Sequence, residues 1–164
     1  MILVLLRHGE ASFEAASDRL RTLTIDGELD VCASTTSYLN HRIRLSGVDA
    51  LQPTLLVSPY LRAQQTADLV GKTLTSNELQ FYSQSGDWLT PETPVEDCIR
   101  MLQRLEGDGL NELWLISHNP LLSTLLSQLV DGDNFSQPAL RTAEIVELEL
   151  DWPALGSASI GYRH

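Results

Sequence analysis

The amino-acid sequence predicts an α/β fold, a three-layer α/β/α sandwich with a mainly parallel central sheet and an antiparallel edge strand. Three observations carry this. Continuous apolar runs at residues 2–6 and 113–117, with a shorter one at 54–57, have the pattern of strands covered on both faces. Segments of helical period lie between them. Near residue 150, Val146, Leu148 and Leu150 alternate with Glu147 and Glu149, the mark of a strand with one wet face near a sheet edge. Strands alternating with helices bury a parallel sheet between two helical layers.

Each element can be justified in turn. The first strand runs straight into Arg7-His8-Gly9. Residues 25–40 place Leu29, Cys32, Ala33, Thr36 and Leu39 on one side of a helix. After the strand at 54–57, Ser58 is expected as an N-cap and Pro59 as the first helical residue, which puts Arg62 in the first turn. A helix at 95–105 buries Val95, Ile99, Leu102 and Leu105. Its start is written in Thr93-Pro94-Val95-Glu96: a capping hydroxyl, a proline at the first position and a Glu placed to close a capping box. The strand at 113–117 feeds Ser117-His118-Asn119-Pro120, with Asn119 expected to cap a helix over 120–130 whose apolar stripe is broad. The tail after Trp152, rich in Gly and Ser, is expected to be loose.

Composition bounds the rest. No repeat or linker divides the 164 residues, and 43% hydrophobic residues fill one α/β core, so residues 1–164 are expected to form a single domain. Lys and Arg number 11 against 22 Asp and Glu, a net charge of −11. That excludes a broad basic footprint for nucleic acid or an anionic membrane, and any anionic ligand must be held by a local cluster of cations. Cys32 and Cys98 have neither metal-ligand spacing nor a disulfide framework and are expected as core thiols in a reducing compartment. The opening MILVLL is too short for a leader and no window matches a membrane span, which makes a soluble cytoplasmic protein the expectation.

In an open α/β sheet, ligands bind beyond the carboxyl ends of the strands. Three junctions there carry chemistry: Arg7-His8-Gly9, Ser58 to Arg62, and Ser117-His118-Asn119. Taken singly, each has an ordinary structural explanation. Arg62 opposes the positive end of its helix dipole, at a cost of some tenths of a kcal/mol unless an anion sits between them. Two His and two Arg at one end of three strands point to a shared oxyanion site. His41 and His164 lack this setting and are expected at the surface.

The stretches LLRHGEA at 5–11, AASDRLRTLTIDG at 15–27, VSPYLRAQQTAD at 57–68 and LISHNPL at 115–121 resemble the histidine phosphatase superfamily, whose fold is phosphoglycerate mutase-like. Within it the chain is most similar to the small SixA-type phosphohistidine phosphatases. The resemblance implies a nucleophilic His8 that is transiently phosphorylated, with Arg7, Arg62 and His118 holding the phosphoryl oxygens and Arg21 adding charge; a surface salt bridge to Asp18 is the alternative for Arg21. It implies no metal and no other cofactor. The physical chemistry agrees, because a neutral imidazole with an unperturbed pKa near 6.5 is an available nucleophile at pH 7 and guanidinium forks suit phosphoryl oxygens.

The chain departs from the wider superfamily at the general acid. Larger members supply an acid from a later loop, where this chain offers only Asp87, with Glu92 just beyond, and Asp18 in the loop after the first strand is the other candidate. A phosphoramidate leaving group can be protonated on its own ring, so it depends less on an enzyme acid. Ala11-Ser12-Phe13-Glu14 replaces the residues that follow the motif in the mutase and sugar-phosphatase branches, and Asn119 stands where many relatives have Gly. The short chain leaves no room for covering insertions, so the site is expected to be open to a side chain on another protein. The resulting expectation is removal of phosphate from a phosphohistidine-containing protein, such as a phosphorelay or phosphotransfer domain. A phosphatase for small phosphomonoesters and a non-catalytic phosphohistidine-binding module are the alternatives.

Overall fold

A computed structural model describes residues 1–47 and 51–164. Strands β1 (Ile2–Arg7), β2 (Thr54–Val57), β3 (Tyr82–Ser85), β4 (Glu112–Ser117), β5 (Ile145–Leu150) and β6 (Ala158–Arg163) form one sheet in the order β3-β2-β4-β1-β5-β6. The first four in that order are parallel, while β5 runs antiparallel to β1 and β6 antiparallel to β5. Helices α1 (Ile25–Ser46) and α2 (Leu61–Ser76) cover one face, and α3 (Val95–Gly107) and α4 (Leu121–Asp131) cover the other.

The alternation of buried side chains explains the three layers. Leu3 and Leu5 of β1 join Leu113, Leu115 and the apolar stripes of α3 and α4. Val4 and Leu6 join Trp114, Ile116 and the inner faces of α1 and α2. Both faces of β1 and β4 are therefore dry, as their continuous apolar runs predict. No described helix is long and apolar enough to cross a membrane.

Several expectations need correction. The antiparallel edge holds two strands, because the Gly- and Ser-rich tail forms β6 and pairs with β5. The hydrogen bonds of an edge ladder suffice there without an apolar run. Its presence shields Glu147, which is 3% exposed rather than wet, while Glu149 does face solvent. Strand β3 has no sequence signature, because YSQS is exposed throughout and has no apolar pattern.

Three expected caps do not form. Tyr60 and Pro120 occupy the N-cap positions of α2 and α4, and Pro94 that of α3, none with a side-chain capping bond. Thr93 instead pairs its hydroxyl with Thr90 at 3.0 Å, so the capping box to Glu96 is not made. Asn119 accepts from the Ser123 hydroxyl at 2.6 Å and donates to the Leu140 carbonyl at 2.8 Å, which leaves no side-chain cap on the helix start. The cap that does form is Thr24, which accepts from the Gly27 amide at 3.0 Å at the head of α1.

Cys98 is fully buried, and burial pushes its thiol up to about 12. Cys32 is only half-buried, and both thiols are free. His164 is exposed, whereas His41 is half-buried against the Tyr162 ring at 4.8 Å.

Candidate active site

Register places the three junctions side by side. Arg7 pairs with Ser117 across β1 and β4, and Val57 pairs with Ile116 across β2 and β4. The ladders continue one residue further, His8 N–H donating to Ser117 at 3.0 Å and Ser58 N–H to Ile116 at 3.0 Å. The residues after each strand thus share one crevice, with the first turn of α2 alongside.

Two glycines make the turn after β1 possible. A Cβ on Gly9 would lie 2.6 Å from the Gly27 carbonyl oxygen, and one on Gly27 would collide with the Glu10 backbone. Helix α1 therefore packs directly on the loop that carries His8. From the opposite side, Thr66 of α2 accepts the Gly9 N–H at 3.2 Å.

A cavity of about 780 Å³ opens here, lined by Arg7, His8, Arg21, Arg62, His118 and Asn119 among others. His8, Arg62 and His118 are 7%, 4% and 1% exposed, which excludes a solvated surface charge for Arg62. His8 has its Nδ1 2.7 Å from the Gly9 carbonyl oxygen. A carbonyl can only accept, so Nδ1 carries the ring proton and Nε2 carries the lone pair. That lone pair accepts from Arg62 Nε at 3.1 Å. Burial, and then the charges of Arg62, Arg7 and Arg21, push the His8 pKa down to about 4 against the pull of the Gly9 bond. The ring is neutral at pH 7 with its nucleophilic nitrogen facing a guanidinium.

The His118 ring lies 4.9 Å from that of His8. Burial, with His8 and Arg62 nearby, holds it neutral, its pKa pushed down to about 2. Its Nε2 meets the Ser58 hydroxyl at 2.7 Å. Arg7 donates through Nη1 to the Leu140 carbonyl at 2.8 Å. Tyr60 flanks the group, its ring 5.0 Å from His118 and 5.0 Å from the Arg62 carbon, with its hydroxyl donating to Glu92 at 3.2 Å.

Arg21 lines the cavity but is tied to its own loop. It donates to the carbonyls of Ser12 at 2.7 Å and Ala11 at 2.9 Å and pairs with Asp18 at 3.1 Å, while Phe13 covers its face at 4.3 Å. Burial works to raise the Asp18 pKa, yet hydrogen bonds from Arg21 and Arg62 hold this carboxyl below its usual range. At neutral pH it is a carboxylate and carries no proton to donate. Asp87 sits exposed in a short helical turn and is not among the cavity's lining residues. Glu92 reaches the site only through Tyr60.

Sequence reasoning missed Ser58 behind His118, Thr66 beneath Gly9 and the Leu140 carbonyl beside Arg7. Ser58 carries a sequence signal, but in a Ser-Pro pair it is the signal of a helix start. A second cavity of about 820 Å³ opens at the other ends of the strands, beside Ile2, Thr54 and Glu112, and its one described cation, Arg42, is already paired with Glu147.

A buried neutral imidazole against a guanidinium, at the carboxyl edge of a parallel sheet, is an arrangement suited to phosphoryl transfer. No family model matches the chain. It is 34% identical over 151 residues to the phosphohistidine phosphatase SixA of Escherichia coli (strain K12), covering 92% of this chain and 86% of that protein. It is 30% identical over 134 residues to the SixA homolog of Haemophilus influenzae, covering 82% and 80%. The solved structure of the protein histidine phosphatase SixA complexed with tungstate matches with a TM-score of 0.83 at 29% identity, over 99% of this chain and 96% of that one. Phosphoglycerate mutase from Plasmodium falciparum shares the fold, with a TM-score of 0.57 at 17% identity over 98% and 88%. The chain belongs to the SixA-type phosphohistidine phosphatases of the histidine phosphatase superfamily.

Proposed function

We propose that this chain removes phosphate from phosphohistidine on another protein, through a phosphorylated His8. The observation that carries this reading is the lone pair of a neutral His8 Nε2 held 3.1 Å from Arg62 Nε. When a phosphoryl group enters, the Arg62 N–H turns from that lone pair to a phosphoryl oxygen, and the freed nitrogen attacks phosphorus. The new bond from His8 to phosphorus forms as the bond from phosphorus to the substrate imidazole breaks. The departing electron pair stays on that imidazole nitrogen, and with its other nitrogen already protonated the ring leaves neutral. Water then attacks phospho-His8, releasing inorganic phosphate and restoring the ring.

Arg7, Arg62 and His118 stabilise the equatorial oxygens, where charge gathers in the transition state. Asp18 and Arg21 hold the loop and the Arg62 fork, while no carboxylic acid is required by a leaving group that carries its own proton. The substrate is a phosphohistidine-containing protein of a phosphorelay or phosphotransfer system in the cytoplasm.

The test is turnover of a phosphohistidine protein beside a panel of small phosphomonoesters, with acid-labile labelling of the enzyme. We expect preference for the phosphohistidine protein and a label that is lost in His8→Ala. Preference for the esters by orders of magnitude would assign the site to small molecules. Binding of the phosphoprotein without release of phosphate would make the domain a reader.

A further inference from the structure

The second histidine has an asymmetry that its role in holding oxygens does not explain. Ser58 is fully buried and His118 is 1% exposed. The Ser58 hydroxyl oxygen has two neighbours among the described residues: the Tyr60 N–H, which donates to it at 3.4 Å, and His118 Nε2 at 2.7 Å. His118 Nδ1 is buried and has no partner among the described residues.

Only one tautomer suits this arrangement. Were the ring proton on Nε2, it would donate to Ser58, whose own proton would then have no acceptor, and Nδ1 would be a buried acceptor with no donor. That leaves two buried groups unmatched. With the proton on Nδ1, the Ser58 hydroxyl donates to Nε2 and is itself satisfied by the Tyr60 amide. One group remains, the Nδ1–H, on a ring that lines the cavity with His8, Arg7 and Arg62. An unmatched buried donor among cations is what an oxyanion would complete.

We propose that Ser58 is a positioning residue that locks His118 as its Nδ1–H tautomer, so that this neutral ring presents a proton, not a lone pair, to the phosphoryl group. The consequence for turnover rests on the phosphatase reading above; the tautomer itself does not. A lone pair facing phosphoryl oxygens would repel them, so the hydroxyl behind the ring decides whether the second histidine helps or hinders.

The experiment is long-range proton–nitrogen correlation spectroscopy of the whole protein labelled with nitrogen-15 histidine, between pH 6 and 8, on wild type, Ser58→Ala and Ser58→Thr. In the wild type we expect the protonated-nitrogen shift at His118 Nδ1 and the bare-nitrogen shift at Nε2. In Ser58→Ala we expect the proton to redistribute towards Nε2 and kcat to fall about ten- to a hundredfold, as when a supporting partner behind a functional histidine is lost. Ser58→Thr keeps the hydroxyl and is expected to restore both. A wild-type spectrum with the proton on Nε2 overturns the proposal even if neither variant folds, and so does a folded Ser58→Ala protein with an unchanged spectrum. Expected spectra in a protein that fails to release phosphate would leave the tautomer standing and remove the phosphatase reading instead.

Discussion

Asp18 grips Arg62 twice, taking one guanidinium N–H on its backbone carbonyl at 2.6 Å and another on its carboxylate at 3.0 Å. Of the three nitrogens of this side chain, one therefore meets His8 Nε2 and two are fixed by a neighbouring loop. The cation is aimed before any substrate arrives, which lowers the reorganisation that a flexible side chain would need.

If Asp18 aims Arg62, Asp18→Asn keeps the backbone contact and weakens the other. We expect kcat/KM to drop on the order of tenfold with the shape of the pH profile unchanged. Loss of an alkaline limb in the variant would mean that Asp18 donates a proton instead.

Arg7→Ala and Arg62→Ala are expected to slow turnover about a hundredfold or more each, the usual effect of removing a charge contact to the transition state. Arg62→Lys is expected to recover little, because an ammonium cannot meet His8, Asp18 and a phosphoryl oxygen with one planar fork. Steady-state rates on a phosphohistidine protein decide this, and losses below tenfold in both alanine variants would show the clamp lies elsewhere.

Acid should destabilise the fold through its two buried rings. His8 and His118 have folded pKa values of about 4 and about 2, both below the ordinary 6.5. A depressed folded pKa contributes stability that is complete above the unfolded value and lost as pH falls. Below about pH 6.5 the unfolded chain binds up to two protons that the native one refuses, at about 1.4 kcal/mol per pH unit for each ring. Urea midpoints at pH 7, 6 and 5 should fall accordingly, and His118→Gln should halve the slope. A flat series would contradict the buried neutral rings.

Glu147 offers a prediction about stability alone. Buried Arg42 donates to it at 2.8 Å and the Tyr38 hydroxyl bonds the same carboxylate. Removing one partner of a buried ion pair strands the other, so Glu147→Ala should cost about 3–5 kcal/mol in urea unfolding. The kcat of the folded fraction should hold, since none of the three residues lines the active-site cavity.

What could be read from the sequence follows from which forces are local. Buried strands announce themselves because both faces need apolar residues, so β1, β2 and β4 and the three junctions after them were legible. So were His8, Arg7, Arg62 and His118, because each lies within five residues of a strand end. The edge strands were not: YSQS and the segment ending in Gly161-Tyr162-Arg163 are held by ladder hydrogen bonds, which leave no hydrophobic period. The buried state of Glu147 depends on β6 and on Arg42 from a distant helix, a pairing no local pattern encodes. Ser58 was visible as a residue type but not as a neighbour of His118, 60 positions away.

The meeting of Gly9 and Gly27 ties the history of two segments together. With backbone pressed on backbone there, a single extra methyl on either side must push α1 outward or shift the loop that carries His8. Neither position has room for a side chain, and an engineer seeking to retune this catalyst would do better to redraw Phe13 or Tyr60 at the rim than to touch its floor.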